Sequence, residues 1–316
     1  MSWSTTDIPD QRGRVAVVTG ANGGLGLATA KALAAKGAHV VMAARNQAKA
    51  AAARDELLAE VADASVELVE LVELDLGSLA SVAAAAATIL AAHDRIDLLI
   101  ANAGVMAMPQ GTTEDGFETQ LGINHLGHWA LTSHLLPTIF ATPDSRIVTV
   151  SSTAQHQGRP LDPDDPFLDA SYDPWRAYGN SKLANRHFAV GLAQQLRVAG
   201  SSTLALTSHP GLTNSDLQST TVEHAGAGPL GPFFERLTAT VGMSTERGAL
   251  SQLRAATDPA AQSGTMYGPL FGASGPPVVK PLVRPGEVAA IRTLWEVSER
   301  LTGLRVSVAE AAPTAA

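Results

Sequence analysis

Apolar runs of strand length alternate along this chain with longer segments whose apolar residues recur at helical spacing, and few folds accept that order. Strand-length runs fall at residues 14–19 (RVAVVT), 38–44 (AHVVMAA), 66–74, 97–101 (DLLIA), 146–150 (RIVTV) and 202–207. Helical patterns at 24–36, 46–61 and 78–93 separate the first four, with Asn46 and Ser78 as expected N-caps. This order predicts βαβ units, hence a parallel sheet with helices on both faces. Near-continuous apolar runs agree, because a strand covered on both faces has no side turned to water. The run at 66–74 interleaves acids and is expected nearer a sheet edge. Residues 153–175 and 225–232 read as surface loops, 272–285 with its prolines as extended chain, and 286–302 as a last amphipathic helix carrying Ile291, Leu294, Trp295 and Leu301.

The first strand runs into Thr19-Gly-Ala-Asn-Gly-Gly-Leu-Gly26, and a helix follows. Glycines there let the backbone turn sharply and approach a pyrophosphate, while the helix N-terminus offers N–H groups and the positive end of its dipole. The end of the second strand then separates the two nicotinamide cofactors. An acid binds a ribose 2′-hydroxyl, whereas an arginine accommodates a 2′-phosphate. Here Ala44 holds the acid position and Arg45 follows. A guanidinium matches phosphate bidentately, so NADP(H) is favoured over NAD(H).

Tyr178 and Lys182 lie four residues apart on a helical pattern continued by Leu183, Phe188 and Leu192, so they share a face. With three tyrosines and five lysines, a chance Tyr-x-x-x-Lys is expected in about one such chain in twenty. Tyr172 is no competitor, because Arg176 stands at its i+4 position.

In this order the elements Thr19-Gly20-x-x-x-Gly24-x-Gly26, Asp75-Leu76, Asn102-Ala103-Gly104, Asn124, Ser151-Ser152, Tyr178-x-x-x-Lys182 and Pro210-Gly211 resemble the short-chain dehydrogenase/reductase family. Asn124-His-Leu-Gly-His128, Tyr178-Gly-Asn-Ser-Lys-Leu-Ala-Asn185 and His209-Pro-Gly211 are similar to its retinol-dehydrogenase-like group. The likeness covers about residues 10–303. It implies an α/β fold with a Rossmann-type doubly wound parallel sheet, in a single domain with a substrate-lid region and a C-terminal extension. The domain would span 1–303, with a cofactor half at about 13–150 and a catalytic and substrate half at about 151–303. A tail at 304–316 would be disordered towards its end.

The resemblance also implies roles. Tyr178 would be the general acid in reduction and base in oxidation. Ser152 would hydrogen-bond the substrate oxygen, with Ser151 as the alternative hydroxyl. Lys182 would hold the nicotinamide ribose and polarise Tyr178, and Asn124 would anchor a water in the proton relay. Gly20, Asn22, Gly24, Leu25 and Gly26 would cradle the cofactor, joined by Arg45, Asp75, Leu76, Asn102, Ala103, Gly104, Pro210 and Gly211. Either Thr213 or Ser215 would supply a hydroxyl near the nicotinamide amide. Ala101 departs from the family, standing where an asparagine often opens the Asn-Ala-Gly motif, and Gly23 stands where many NADP-binding relatives carry a basic side chain. Homo-oligomers through the helices beginning near Phe117 and Tyr178 follow by analogy alone.

Composition narrows the partners. Thirty acids against 22 bases leave a net charge of −8, which disfavours nucleic acid. Cysteine is absent, which removes thiolate nucleophiles and Cys-ligated zinc and fits a cytoplasmic setting. The N-terminal ten residues lack a basic start and an apolar run, and the alanine-rich stretch 82–92 is too short to span a bilayer, so no signal peptide or membrane anchor is expected. His125, His128 and His134 cluster without a carboxylate or cysteine beside them. They read as packing or interface residues, and no metal is expected. His156, His209, Met106 and Met108 are expected to line the pocket, with Phe233, Phe234 and Leu237 as a lid over it. Such a pocket suits a small apolar alcohol or carbonyl compound. The alternative is a redox sensor or scaffold that binds NADP(H) without turnover, a role that does not need Ser152, Tyr178, Lys182 and Asn124 together.

Overall fold

The computed structural model of the chain describes residues 2–62, 64–213, 242–281 and 287–311. The first half builds β1 (Val15–Thr19), α1 (Gly24–Ala34), β2 (His39–Ala44), α2 (Gln47–Glu60), β3 (Val69–Glu73), α3 (Leu79–Ala92) and β4 (Leu98–Ala101). A short helix α4 (Thr119–Leu121) passes through a π turn (Gly122–Leu126) into α5 (Gly127–Ala141). Then come β5 (Arg146–Val150), the long α6 (Pro174–Val198), β6 (Leu204–Ser208), α7 (Thr245–Thr257), β7 (Met266–Pro269), β8 (Pro277–Lys280), α8 (Glu287–Thr302) and α9 (Val308–Ala311).

The eight strands form one sheet in the order β3-β2-β1-β4-β5-β6-β7-β8, parallel except for β8. This is the doubly wound Rossmann-type sheet, and its order reverses between β1 and β4, where such sheets open a crevice at the strands' carboxyl ends. Both faces are filled. Val15, Val17, Val41 and Val72 point to the face covered by α3, α5, α6 and α8, where Ile89, Trp129, Phe188 and Leu294 pack. The alternate residues Ala16, Val18, Val40 and Met42 meet α1, α2 and α7 through Leu33, Leu57 and Leu253. This strict alternation is the two-residue period of a strand.

Caps fall where the sequence places them: Asn46 and Ser78 accept from the backbone N–H groups of Lys49 and Ser81. Three expectations are corrected. The run 66–74 opens with a single 3₁₀ turn over Val66–Leu68 before β3 begins. Residues 272–285 are not simply extended, since Pro277–Lys280 pairs antiparallel with β7. The segment 153–175 ends in helix rather than loop, because Asp173 caps α6 and Pro174 takes its first position. Residues 304–311 pack onto the fold: Val306 and Val308 are buried, and the Leu304 carbonyl accepts the indole N–H of Trp129 at 2.9 Å, while the expected disordered end lies outside the described residues. The expected lid residues Phe233, Phe234 and Leu237, the loop 225–232 and Ser215 lie outside the described residues. Among the described residues, no helix is long and apolar enough to cross a membrane.

Trp129 is the pivot of the C-terminal packing. It is fully buried, 5.2 Å between ring centroids from Trp295 and 5.6 Å from Phe188. Substituting Trp129→Ala removes these contacts and the bond to Leu304, and should cost about 3–5 kcal/mol of stability, read from urea denaturation.

Candidate active site

A cavity of about 1000 Å³ opens at the carboxyl ends of β1, β2, β4 and β5. Its floor is the turn between β1 and α1. Gly26 is packed so closely there that a Cβ would run into the Gly20 carbonyl and lie 2.8 Å from Asn102 Nδ2. Helix α1 begins at Gly24 with glycine as its N-cap, so no side chain caps it. Its first-turn N–H groups have no intrahelical partner and face a region suited to an anion. Gly20, Asn22, Gly24, Leu25 and Gly26 all line the cavity, as do Arg45, Asp75 and Leu76 at the ends of β2 and β3. Asn102, Ala103 and Gly104 follow β4 along one wall, and Pro210, Gly211 and Thr213 follow β6.

Ser152, Tyr178 and Lys182 line the same cavity. The Ser152 hydroxyl stands on the Tyr178 side of the cavity and favours the phenolate. Lys182 Nζ lies 5.7 Å from the centre of the Tyr178 ring and donates to the Val150 carbonyl at 3.3 Å. Burial pushes the Tyr178 hydroxyl up to about 12, with the Ser152 hydroxyl pulling the other way. Burial likewise lowers the Lys182 ammonium to about 8. The two adjacent serines differ sharply. Ser151 is buried and donates to the Lys182 carbonyl at 2.7 Å, whereas Ser152 is half-buried and caps the next turn by accepting from Ala154 N.

Asn124 stands behind the cavity wall, in the π turn. Its Oδ1 accepts from Val105 N at 2.7 Å, and its Nδ2 donates to the Val105 carbonyl and to Ser181 Oγ, each at 2.9 Å. A Cβ on Gly104 would sit 2.7 Å from Asn124 Oδ1 and 3.1 Å from Lys182 Nζ, so that glycine is what lets the wall pass between them.

The sequence missed two cavity residues of consequence. Lys49, in the first turn of α2, lines the cavity together with Arg45. Trp175 stands three residues before Tyr178 on α6, edge-on to its ring at 6.3 Å. Reading residues 153–175 as a loop hid that spacing. Three expected pocket residues are corrected. His156 and His209 are not among the lining residues. The His209 ring tucks beneath Gly268, and its Nδ1 accepts from Gly211 N, which shapes the Pro210–Gly211 turn from behind. Met106 lines the cavity, but Met108 does not, and its carbonyl accepts from the Tyr172 hydroxyl.

The histidines of the π turn and α5 point apart. His125 meets Ser298 Oγ at 2.9 Å and packs on Trp129 and Phe188. His128 Nε2 meets the Thr19 hydroxyl at 2.8 Å and its Nδ1 meets the Asn124 carbonyl at 3.0 Å.

Residues 14–226 match the family model of short chain dehydrogenases. Human retinol dehydrogenase 12 is 37% identical over 297 residues, covering 93% of this chain and 87% of the relative. Human retinol dehydrogenase 13 is 36% identical over 296 residues, covering 92% and 85%. A solved structure of an uncharacterised protein from Mycobacterium paratuberculosis superposes with a TM-score of 0.77 at 37% identity, covering 96% of this chain and 99% of that one. The chain belongs to the short-chain dehydrogenase/reductase family and is similar to its retinol dehydrogenases. It is accordingly an oxidoreductase of the family that binds nicotinamide cofactors and acts on CH–OH or C=O groups of small molecules.

The buried imidazoles carry a pH consequence. Burial lowers His125 to about 3 and His128 to about 4, against 6.5 for an ordinary imidazole. Between those limits the unfolded chain binds protons that the folded chain refuses, so stability falls as pH drops below about 6.5. Each histidine should remove about 2 kcal/mol between pH 7 and pH 5. Urea titrations at the two pH values should show that loss, and His128→Gln should make the pH dependence shallower.

Proposed function

We propose that the chain is an NADP(H)-dependent oxidoreductase for apolar alcohol or carbonyl compounds, with Tyr178 as general acid/base. The observation that carries this reading is the convergence of Ser152, Tyr178 and Lys182 in the cavity that the glycine loop floors, with Lys182 Nζ 5.7 Å from the Tyr178 ring. When bound, the nicotinamide supplies or accepts the hydride. In reduction, the Tyr178 hydroxyl gives its proton to the oxygen of the substrate carbonyl. Burial keeps that hydroxyl protonated at neutral pH, the form a donor needs. In oxidation the phenolate takes the proton back, favoured by the Lys182 ammonium across the ring. The Ser152 hydroxyl holds the substrate oxygen and adds no competing charge. Lys182, anchored on Val150, would hold the ribose hydroxyls of the cofactor, and Asn124 braces the wall through Val105 and Ser181.

The residues suit a dinucleotide. The uncapped start of α1 fits a pyrophosphate, and Asp75 and Leu76 flank the adenine position. Three features favour the 2′-phosphate form. Ala44 offers no carboxylate, Arg45 is largely exposed at the cavity rim, and Lys49 adds a second cation. Arg45 lies 3.8 Å from Asp75 in an ion pair with 72% and 37% of the side chains exposed. Such a pair is weak and yields readily to a phosphate. Val105, Met106, Val150, Trp175 and Leu212 give the cavity its apolar lining, which favours an apolar substrate. The absence of cysteine favours a cytoplasmic setting.

Following NADPH absorbance against aliphatic, aromatic and steroid-like carbonyls tests the reading. Wild type should turn over at least one class, and Tyr178→Phe should lose about 10²–10⁴-fold in rate while still binding NADPH. Full turnover in Tyr178→Phe would overturn the assigned acid/base. NADPH binding without turnover of any class would favour the sensor reading. In a separate experiment, Arg45→Ala should raise KM for NADPH about 10–100-fold and leave KM for NADH nearly unchanged. A wild type that prefers NADH would overturn the cofactor assignment.

A further inference from the structure

At the opposite end of the sheet, three metal-binding side chains converge. His39 is the first residue of β2, and Glu70 lies in β3 opposite Val41. The two-residue period puts His39, Val41 and Glu70 on the same face of the sheet. Helix α3 packs on that face and ends at His93, whose backbone N–H closes the helix on the Ile89 carbonyl. The fold therefore brings an imidazole from β2, a carboxylate from β3 and an imidazole from the end of α3 to one point.

His39 Nε2 lies 2.6 Å from Glu70 Oε1, and His93 Nε2 lies 3.2 Å from Glu70 Oε2. All three ligand atoms fall within 4.8 Å of one another, in the one such cluster among the described residues. The ring centroids are 4.7 Å apart, edge to face, which keeps both nitrogens on the side of the carboxylate. His39 Nε2 is buried and, despite its short distance, lacks the N–H···O alignment of a hydrogen bond to Glu70. Tetrahedral ligands about 2.0–2.2 Å from a zinc ion stand about 3.3–3.6 Å apart, so small side-chain shifts would close the set. The His93 and His39 side chains are 9% and 20% exposed, which fixes their positions, while Glu70 at 34% leaves a side open to water.

The geometry points to a divalent transition-metal site at His39, Glu70 and His93, with water as the fourth ligand. Two imidazoles and one carboxylate select a borderline cation such as Zn²⁺ over the hard cations Mg²⁺ and Ca²⁺. The site is remote from the cavity: His39 and Ala44 lie at opposite ends of β2, roughly 16 Å apart at strand rise. Its consequence is mechanical. A bound cation would clamp the end of α3 to β2 and to the sheet edge at β3, adding its binding free energy to folding.

The test uses the untagged full-length chain, stripped with chelator and titrated with Zn²⁺ by calorimetry. One Zn²⁺ per chain should bind, with Tm rising as free Zn²⁺ rises, and Mg²⁺ should produce neither effect. His39→Gln and Glu70→Gln, both at partly exposed positions, should each weaken that binding about 100-fold or more. If a variant fails to fold, Co²⁺ added to the wild type decides, since four-coordinate Co²⁺ with these ligands gives an intense visible absorption that Zn²⁺ displaces. Absence of stoichiometric Zn²⁺ binding, binding unchanged in folded variants, or Co²⁺ spectra typical of six water-like ligands would each overturn the proposal. None of these readouts depends on oxidoreductase turnover.

Discussion

The hydroxyl of Thr19, at the end of β1, joins three parts of the molecule at one buried point. It accepts from the backbone N–H groups of Asn102 and Ala103 and lies 2.8 Å from His128 Nε2. The Asn124 carbonyl can only accept, so His128 Nδ1 carries the proton and its Nε2 accepts from the Thr19 hydroxyl, which also lies 3.4 Å from the Ile100 carbonyl. That assignment needs a neutral imidazole, and burial holds His128 at about 4. Asn102 returns the contact by donating its side-chain amide to the Thr19 carbonyl at 2.9 Å, and its Oδ1 accepts from Gln252 on α7. The glycine turn, the wall after β4 and the π turn are thereby held in one register. Gly26 packs against Gly20 and Asn102 at the same point.

Lys182 and Tyr178 show how far burial alone sets the character of the site. Desolvation disfavours each charged form, so it lowers the ammonium and raises the phenol. Both shifts favour the neutral forms in the buried site. The backbone carbonyl of Val150 and the hydroxyl of Ser152 are the dipoles placed to offset them. Ser151 contributes by fixing α6, the helix that carries both residues, to the end of β5.

The C-terminal elements complete the catalytic side of the fold. Helices α8 and α9 cover the seam between α5 and α6 through Trp295 and Val308, so this chain buries that apolar face itself. Trp295 packs over Gly191, where a Cβ would lie 2.5 Å from its ring. The buried Arg186–Glu287 pair at 2.7 Å anchors the start of α8 to α6. Removing one partner of such a pair would leave an uncompensated charge out of water, so the two ends hold together.

The doubly wound sheet was legible in the sequence because strands buried on both faces read as apolar runs, and the caps Asn46 and Ser78 were legible because capping is local chemistry. Strands β7 and β8 were not legible: each has four residues, with proline or glycine among them, and each exists only through its partner. The start of α6 was written in Asp173-Pro174, yet the acids and prolines before it masked that signal and hid Trp175 with it. Residue types and spacing alone determined the glycine turn, Arg45 after Ala44, and Tyr178 one helical turn from Lys182. Only the tertiary structure decided that Ser152 rather than Ser151 acts on Tyr178, that Lys49 joins Arg45 at the cavity, that His209 lies behind the wall, and that His39, Glu70 and His93 converge. The reason is physical. Periodicity and capping act within a few residues, whereas side chains from separate elements meet only after sheet register and helix packing have fixed where each one points.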